Sequence, residues 1–246
     1  LHVTQVGGES VRTQLAKDLR PEYSHSASLS ADYYVQVNDN MQLNFLAEGF
    51  YTVLDDVFAL KTIRHDSITQ TTWQERYNAS GAVVKGISLT AKMAYKDILV
   101  LSAAYTLQSS RYKETEYWSE FEDVAGTDKL MRSPDDYGYI SLDYNPIKKL
   151  GINLSGTYTG EMQVPHYAGY IEKDRMETTQ RFFDLNFAVN YDFKLSKSNT
   201  LQLKLGVNNL FNSFQKDFDK GMDRDSGYIY GPTMPRTYYI GLKLKM

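Results

Sequence analysis

Side chains able to do chemistry are few and scattered in this chain. It has no cysteine and four histidines, His2, His25, His65 and His166. None of the four is spaced from another as zinc ligands are. His65 stands beside Asp66, as in an acid–base dyad, but both fall in a long polar stretch where a solvated pair is the plainer reading. Asp135 and Asp136 follow Pro134 just before a strand and read as turn punctuation. Asp217, Asp219, Asp223 and Asp225 crowd one stretch, which suggests calcium by oxygen content alone. Their spacing is not that of a calcium loop, a closing Glu is missing, and Lys216, Lys220 and Arg224 are interleaved. Calcium at Asp217–Asp225 stays open beside the reading of a charge-balanced loop. The expectation is a chain with no catalytic residue, no assigned metal site and no cofactor.

Recognition is the chemistry the sequence offers instead. The stretch 161–180 carries Gln163, Pro165, His166, Tyr167, Tyr170 and Arg175, and a later polar stretch adds Tyr228 and Tyr230. Aromatic rings and a guanidinium at loop tips give large, stiff contact surfaces. His166, Tyr167, Tyr170, Arg175, Tyr228 and Tyr230 therefore form the candidate ligand-binding set. The bland alternative is that tyrosines merely stiffen long loops.

Composition narrows the class. The 246 residues hold 27 Lys+Arg against 30 Asp+Glu, a formal net charge of −3. That excludes a polybasic nucleic-acid binder and a disulfide-stapled small domain. No apolar run reaches the length of a membrane-spanning helix, and mean hydropathy is −0.47. Membrane strands escape that test, because their alternation averages out. The chain begins at Leu1 and reads as mature, truncated or excerpted.

The elements that would position these loops follow a period of two. Leu185, Phe187, Val189, Tyr191, Phe193 and Leu195 alternate with Asn186, Ala188, Asn190, Asp192 and Lys194. The same alternation runs through segments containing Leu29, Leu43, Leu89, Leu101, Leu142, Leu154, Leu203 and Leu242, nine in all. Such spacing makes strands with one apolar face. No Asp, Glu, Lys or Arg falls on that face, except that Lys85 shares parity with Ile87. Lys85 either lies above a membrane interface or marks a bulge at Gly86. Tight joints (38–40, 96–97, 145–149, 196–200) alternate with long polar ones (57–72, 112–136, 161–180, 211–235). An up-and-down meander then has all its turns at one end and all its loops at the other. Tyr51, Tyr105, Tyr158 and Tyr238 fall towards the loop end of the apolar face. Tyr95, Tyr144, Tyr191 and Phe193 fall towards the turn end. Two aromatic girdles around an apolar band suit a bilayer.

Four segments carry a resemblance: Asp18-Leu19-Arg20-Pro21-Glu22-Tyr23-Ser24, Asn78–Ile87, Gly206-Val207-Asn208-Asn209-Leu210-Phe211-Asn212, and Pro235-Arg236-Thr237-Tyr238-Tyr239-Ile240-Gly241. In this order they resemble the C-terminal part of a TonB-dependent outer-membrane receptor, although Ser88 stands where that family usually has Glu. The resemblance implies a 22-stranded barrel filled by an N-terminal plug that is absent here. Residues 1–246 would then be a C-terminal section: all-β, antiparallel, up-and-down and transmembrane. About nine strands are expected, ten if residues near Val3 or Val11 also pair. It further implies a non-enzymatic uptake receptor in the bacterial outer membrane for a scarce nutrient, an iron–siderophore, haem or cobalamin, with an oligosaccharide left open and a metal chelate favoured. Its partners would be outer-membrane lipid, the small-molecule substrate, the TonB complex through the missing plug, and the barrel-assembly machinery through Gly241, Leu244 and Met246. Met246 departs from the usual terminal aromatic. A small complete barrel acting as a pore or enzyme, and a soluble β-sandwich binding protein, are the competing classes.

Overall fold

A computed structural model describes residues 2–6, 9–66, 68, 69, 71–119 and 121–245. The strands are β1 (His2–Val6), β2 (Glu9–Leu15), β3 (Tyr23–Asn38), β4 (Met41–Asp55), β5 (Phe58–Asp66), β6 (Thr71–Asn78), β7 (Ala82–Tyr95), β8 (Leu99–Glu116), β9 (Thr127–Lys129), β10 (Asp136–Ile147), β11 (Leu150–Thr159), β12 (Gln163–His166), β13 (Arg175–Thr178), β14 (Phe182–Lys194), β15 (Thr200–Asn208) and β16 (Thr237–Lys245). No helix occurs among the described residues.

Nine long strands form one antiparallel meander in the order β16-β15-β14-β11-β10-β8-β7-β4-β3, with the short β9 added beside β8. The meander is an open sheet whose free edges are β3 and β16. The tenth strand is therefore not the one expected. Val3 and Val11 lie on β1 and β2, which pair with each other and, through β2, with β6 in a separate sheet ordered β1-β2-β6-β5. The β2–β6 pairing is parallel and joins segments some sixty residues apart, so no local alternation could announce it.

Register converts the alternation into two faces. One row across all nine strands reads Val35, Leu43, Met93, Leu101, Leu142, Leu154, Phe187, Val207 and Tyr238. The next row, on the opposite face, reads Tyr34, Asn44, Lys92, Ser102, Ser141, Ser155 and Asn186. Much of the apolar face is exposed, Leu29 at 82%, Ile87 at 57%, Leu89 at 55% and Ile240 at 71%, while Leu185 is buried at 8%. A sandwich would bury these rows against a second sheet; here no second sheet packs on them among the described residues, the pattern of a membrane barrel wall. The polar face is cross-linked instead, with Asn44 donating to Asp32, Asn153 to Asp143, and Ser88 paired with Thr106 at 2.8 Å.

Local chemistry sets the ends. At the tight end, Asn38 Oδ1 accepts the Asn40 amide, and Ser196 Oγ accepts the Asn199 amide. Lys96 takes a left-handed φ of 50° between β7 and β8. Lys85 pairs with Tyr51 and Ser109, one row beyond Ile87, and neither neighbouring register shifts there. This overturns the bulge reading at Gly86 and leaves Lys85 at the loop-side rim of the apolar belt. At that end Tyr105 and Tyr158 flank Gly138 in register, and their rings stack at 6.1 Å over the space a side chain would need.

Candidate functional site

The long joints are not bare loops. β5–β6 and β12–β13 are hairpins, and the segment 209–236 folds back over the second of them. The anchor is the corner after β15. Asn209 is buried with φ 52°, donates through Nδ2 to the Ser213 and Met234 carbonyls (3.1 and 2.9 Å), and accepts the Ser213 amide on Oδ1 at 2.8 Å. Asn212, with φ 53°, accepts the Arg236 amide at 2.9 Å. Asparagine tolerates this left-handed backbone better than most residues. The motif Gly206–Asn212 is thus a corner that both ends β15 and holds the start of β16.

Above that corner sits a polar cluster built around the buried Gln215, His166 and Tyr228. Gln215 is fully buried, donating to the Tyr228 carbonyl at 3.1 Å and accepting the Tyr230 amide at 2.9 Å. Tyr228 and Tyr230 both donate their hydroxyls to Asp217, at 2.9 and 2.7 Å. His166, at the end of β12, lies flat on Tyr228 with ring centroids 3.7 Å apart and planes 6° from parallel. Its Nε2 faces both oxygens of Asp219 at 3.0 and 2.9 Å and so carries the proton. Asp219 also accepts the Asp225 amide at 2.9 Å, while Asp225 accepts the Tyr167 amide at 3.0 Å. Arg132, from the joint after β9, donates to the Ile229 and Gly227 carbonyls at 3.2 and 2.7 Å. Three separate loops are therefore tied into one assembly.

Burial and hydrogen bonding also fix the charges. Burial and then the Asp217 hydrogen bond push the Tyr228 and Tyr230 phenols up, so both stay protonated. Burial works against the Asp217 charge, but the Tyr230 and Tyr228 hydroxyls outweigh it and hold the carboxyl below its ordinary range. Tyr167 is pushed up to about 12, first by partial burial and then by Asp174 and Asp225.

The six sequence-predicted residues divide in two. His166 and Tyr228, each 4% exposed, and Tyr230 meet inside the cluster. Tyr167 (41% exposed, edge-on to Trp118), Tyr170 (53%) and Arg175, paired with Glu177, stand outside it. The aspartates diverge to separate donors, and no group of three or more His, Cys, Asp or Glu able to hold a metal occurs among the described residues. The dyad considered at His65–Asp66 lies outside the described residues as far as the His65 side chain is concerned; Asp66 caps the amides of Ile68 and Thr69 at the hairpin tip. Sequence reasoning missed Gln215, Arg132 and the role of Asp219. The partners Asp219 and His166 are 53 residues apart, and Arg132 is 95 from Gly227, so no motif could have signalled them. What the assembly offers chemically is a rigid support under exposed aromatic and cationic side chains.

A wall apolar on one face and polar on the other, with all structured loops at one end, is the architecture of part of a membrane β-barrel. The chain belongs to the TonB dependent receptor-like, beta-barrel family, whose profile matches residues 4–210. Its fold is shared with the ferric-catecholate import receptor Fiu of E. coli K12 (TM-score 0.61, 18% identity, 94% of this chain and 28% of that one). It is shared also with the ferric enterobactin receptor PfeA of Pseudomonas aeruginosa (0.59, 18%, 97% and 34%). A third likeness is to the siderophore receptor PirA from Acinetobacter baumannii (0.58, 16%, 96% and 33%). The chain thus spans about a third of the length of these receptors. No curated protein matches it by sequence.

Proposed function

We propose that the chain supplies barrel wall and external loops to a receptor that actively imports an iron–siderophore, haem or cobalamin across the bacterial outer membrane. The observation that carries this is the belt of apolar rows open to lipid, joined at one end only to a cross-braced loop assembly. Two free sheet edges do not persist in hydrocarbon. Strands from the rest of the receptor close the barrel, and its plug carries the TonB contact. The exposed Tyr167, Tyr170 and Arg175 meet the substrate, while His166, Tyr228 and Tyr230 keep that surface stiff. No step needs covalent chemistry: binding is outside, and the work of release comes from TonB. The last strand serves barrel assembly through Gly241 and Leu244, which lie opposite Lys204 and Leu201; Met246 lies outside the described residues. The siderophore receptors of like fold support a metal chelate as cargo.

The test is uptake of radiolabelled chelates by cells in which the full-length receptor is the sole route. Uptake should stop on adding a protonophore or removing TonB. Uptake that persists without TonB, or that is the same in cells lacking the receptor, overturns the reading.

A further inference from the structure

Lys85 is the cation that breaks the apolar face. In register it stands between Tyr51 on β4 and Ser109 on β8. The next row towards the turns reads Leu29, Gly49, Ile87 and Leu107. At Gly49 nothing lies within 4 Å of where a Cβ would stand. Gly138 and Gly156, on the same face, are instead covered by the side chains of Tyr105 and Leu185. The missing side chain at Gly49 opens a groove of about 880 Å³, walled by Leu29, Ile87 and Leu107 and topped by Tyr51 and Lys85. The charge at its top is equally local. Lys85 is exposed, and among the described residues no carboxylate lies at ion-pair distance from it. The next cations on that face, Arg111 and Lys113 further along β8, are matched by Asp128 and Asp55. Asp136, opposite Leu107, accepts the Tyr105 hydroxyl. A lysine stem lies readily along apolar surface while its ammonium reaches the headgroup layer. Lys85 thus sets one unmatched positive charge directly over an open apolar groove.

The structure assigns this groove to a phosphorylated lipid of the loop-side leaflet, its headgroup phosphate on Lys85 and an acyl chain over Gly49. Charge complementarity selects the occupant. An ammonium binds phosphate as a point charge, and the Tyr51 and Ser109 hydroxyls, one strand away on either side, are close enough to donate to the same oxygens. The chain end covers apolar side chains that the sheet leaves bare. An uncharged lipid fills the groove but leaves Lys85 unmatched. Free phosphate matches Lys85 but leaves the groove open. The inference rests on the barrel wall and not on the cargo of the receptor.

The test is native mass spectrometry of the full-length receptor in detergent, titrated with dimyristoyl phosphatidylglycerol, with an uncharged glucosyl diacylglycerol of the same chains, and with inorganic phosphate. The tightest-held phosphatidylglycerol should outlast the uncharged lipid as detergent is raised, and inorganic phosphate should not displace it. Its affinity should fall about fivefold in Lys85→Gln and be kept in Lys85→Arg. In Gly49→Phe, which fills the groove without meeting other atoms of the wall, it should fall at least about tenfold. Lys92→Gln, on the opposite face, should bind as the parent does. Heat-modifiable migration on gels confirms that each variant holds a folded barrel. An affinity unchanged in either Lys85→Gln or Gly49→Phe overturns the inference. So does an uncharged lipid held as tightly as phosphatidylglycerol, or a parent that holds neither. These failures leave the uptake reading standing, since TonB-dependent import of a labelled chelate is read separately.

Discussion

Replacing Asn209 with alanine tests how the loop assembly is attached to the wall. The side chain makes three hydrogen bonds from a buried position, two to carbonyls and one from an amide. Removing it leaves those three groups unpaired, at about 1 kcal/mol each. The backbone adds to this, because φ is 52° and a Cβ without a polar side chain costs about 1–2 kcal/mol there. The sum is about 4–5 kcal/mol. Glycine at the same place loses the same bonds without the backbone penalty, so Asn209→Gly should sit about 1 kcal/mol above Asn209→Ala. The assay is urea unfolding of the full-length receptor in detergent, followed by loss of the heat-modifiable band. Both variants should lower the midpoint, alanine more than glycine, with an unchanged slope. An alanine variant as stable as the parent would refute the account of the corner. A glycine variant less stable than alanine would refute the backbone part of it.

Three further outcomes follow from the geometry. His166→Ala should strand the buried Asp219 carboxylate and loosen segment 209–236 from the β12–β13 hairpin, a local cost of about 3–5 kcal/mol; limited trypsin digestion of intact cells should then cut at Lys220 and Arg224, sites that resist in the parent. The cluster should hold over a broad pH plateau. Asp217 titrates below its ordinary 3.8 and stabilises the fold above that value, its contribution lost as pH falls through the lowered pKa; Tyr228 and Tyr230 titrate above 10.0 and stabilise below that value, their contribution lost as pH rises through the raised pKa. Hydrogen exchange of the Tyr230 amide should therefore be slow between these limits and quicken beyond both. Leu154→Arg, in the middle of the apolar belt, should cost about 2–4 kcal/mol and reduce the assembled fraction in outer membranes, whereas Ser155→Arg, one residue on but facing the other way, should assemble nearly as the parent.

The wall was legible because its physics is local. A strand with one face in lipid must alternate, so Leu185–Leu195 and Leu201–Val207 announce both their conformation and their facing. Turn chemistry at Asn38–Asn40 and Ser196–Asn199 is equally local. Legibility ends where pairing becomes distant and both faces meet water. β5 and β6 hide in a stretch read as polar loop, because residues such as Lys61, Arg64, Gln74 and Glu75 sit comfortably on either side of an external hairpin. A tenth strand is expected only if residues near Val3 or Val11 pair, and these lie on β1 and β2. They instead add to β6, through a parallel pairing that no turn enforces.

The candidate site shows the same boundary within one loop. Sequence spacing groups His166, Tyr167 and Tyr170 by adjacency alone. The fold separates them by one physical criterion, the reach of a buried acceptor. His166 finds Asp219 and turns inward under Tyr228; Tyr167, whose amide is held by Asp225, turns its ring out towards Trp118. Side chains that look alike as recognition residues thus become support or surface according to carboxylates contributed from the last loop. It follows that the acidic stretch 217–225 acts as scaffold: each of its engaged carboxylates fixes an element of another loop or of its own return. Neutralising Asp219 should accordingly reshape the exposed surface at Tyr167 and Tyr170 without touching either residue.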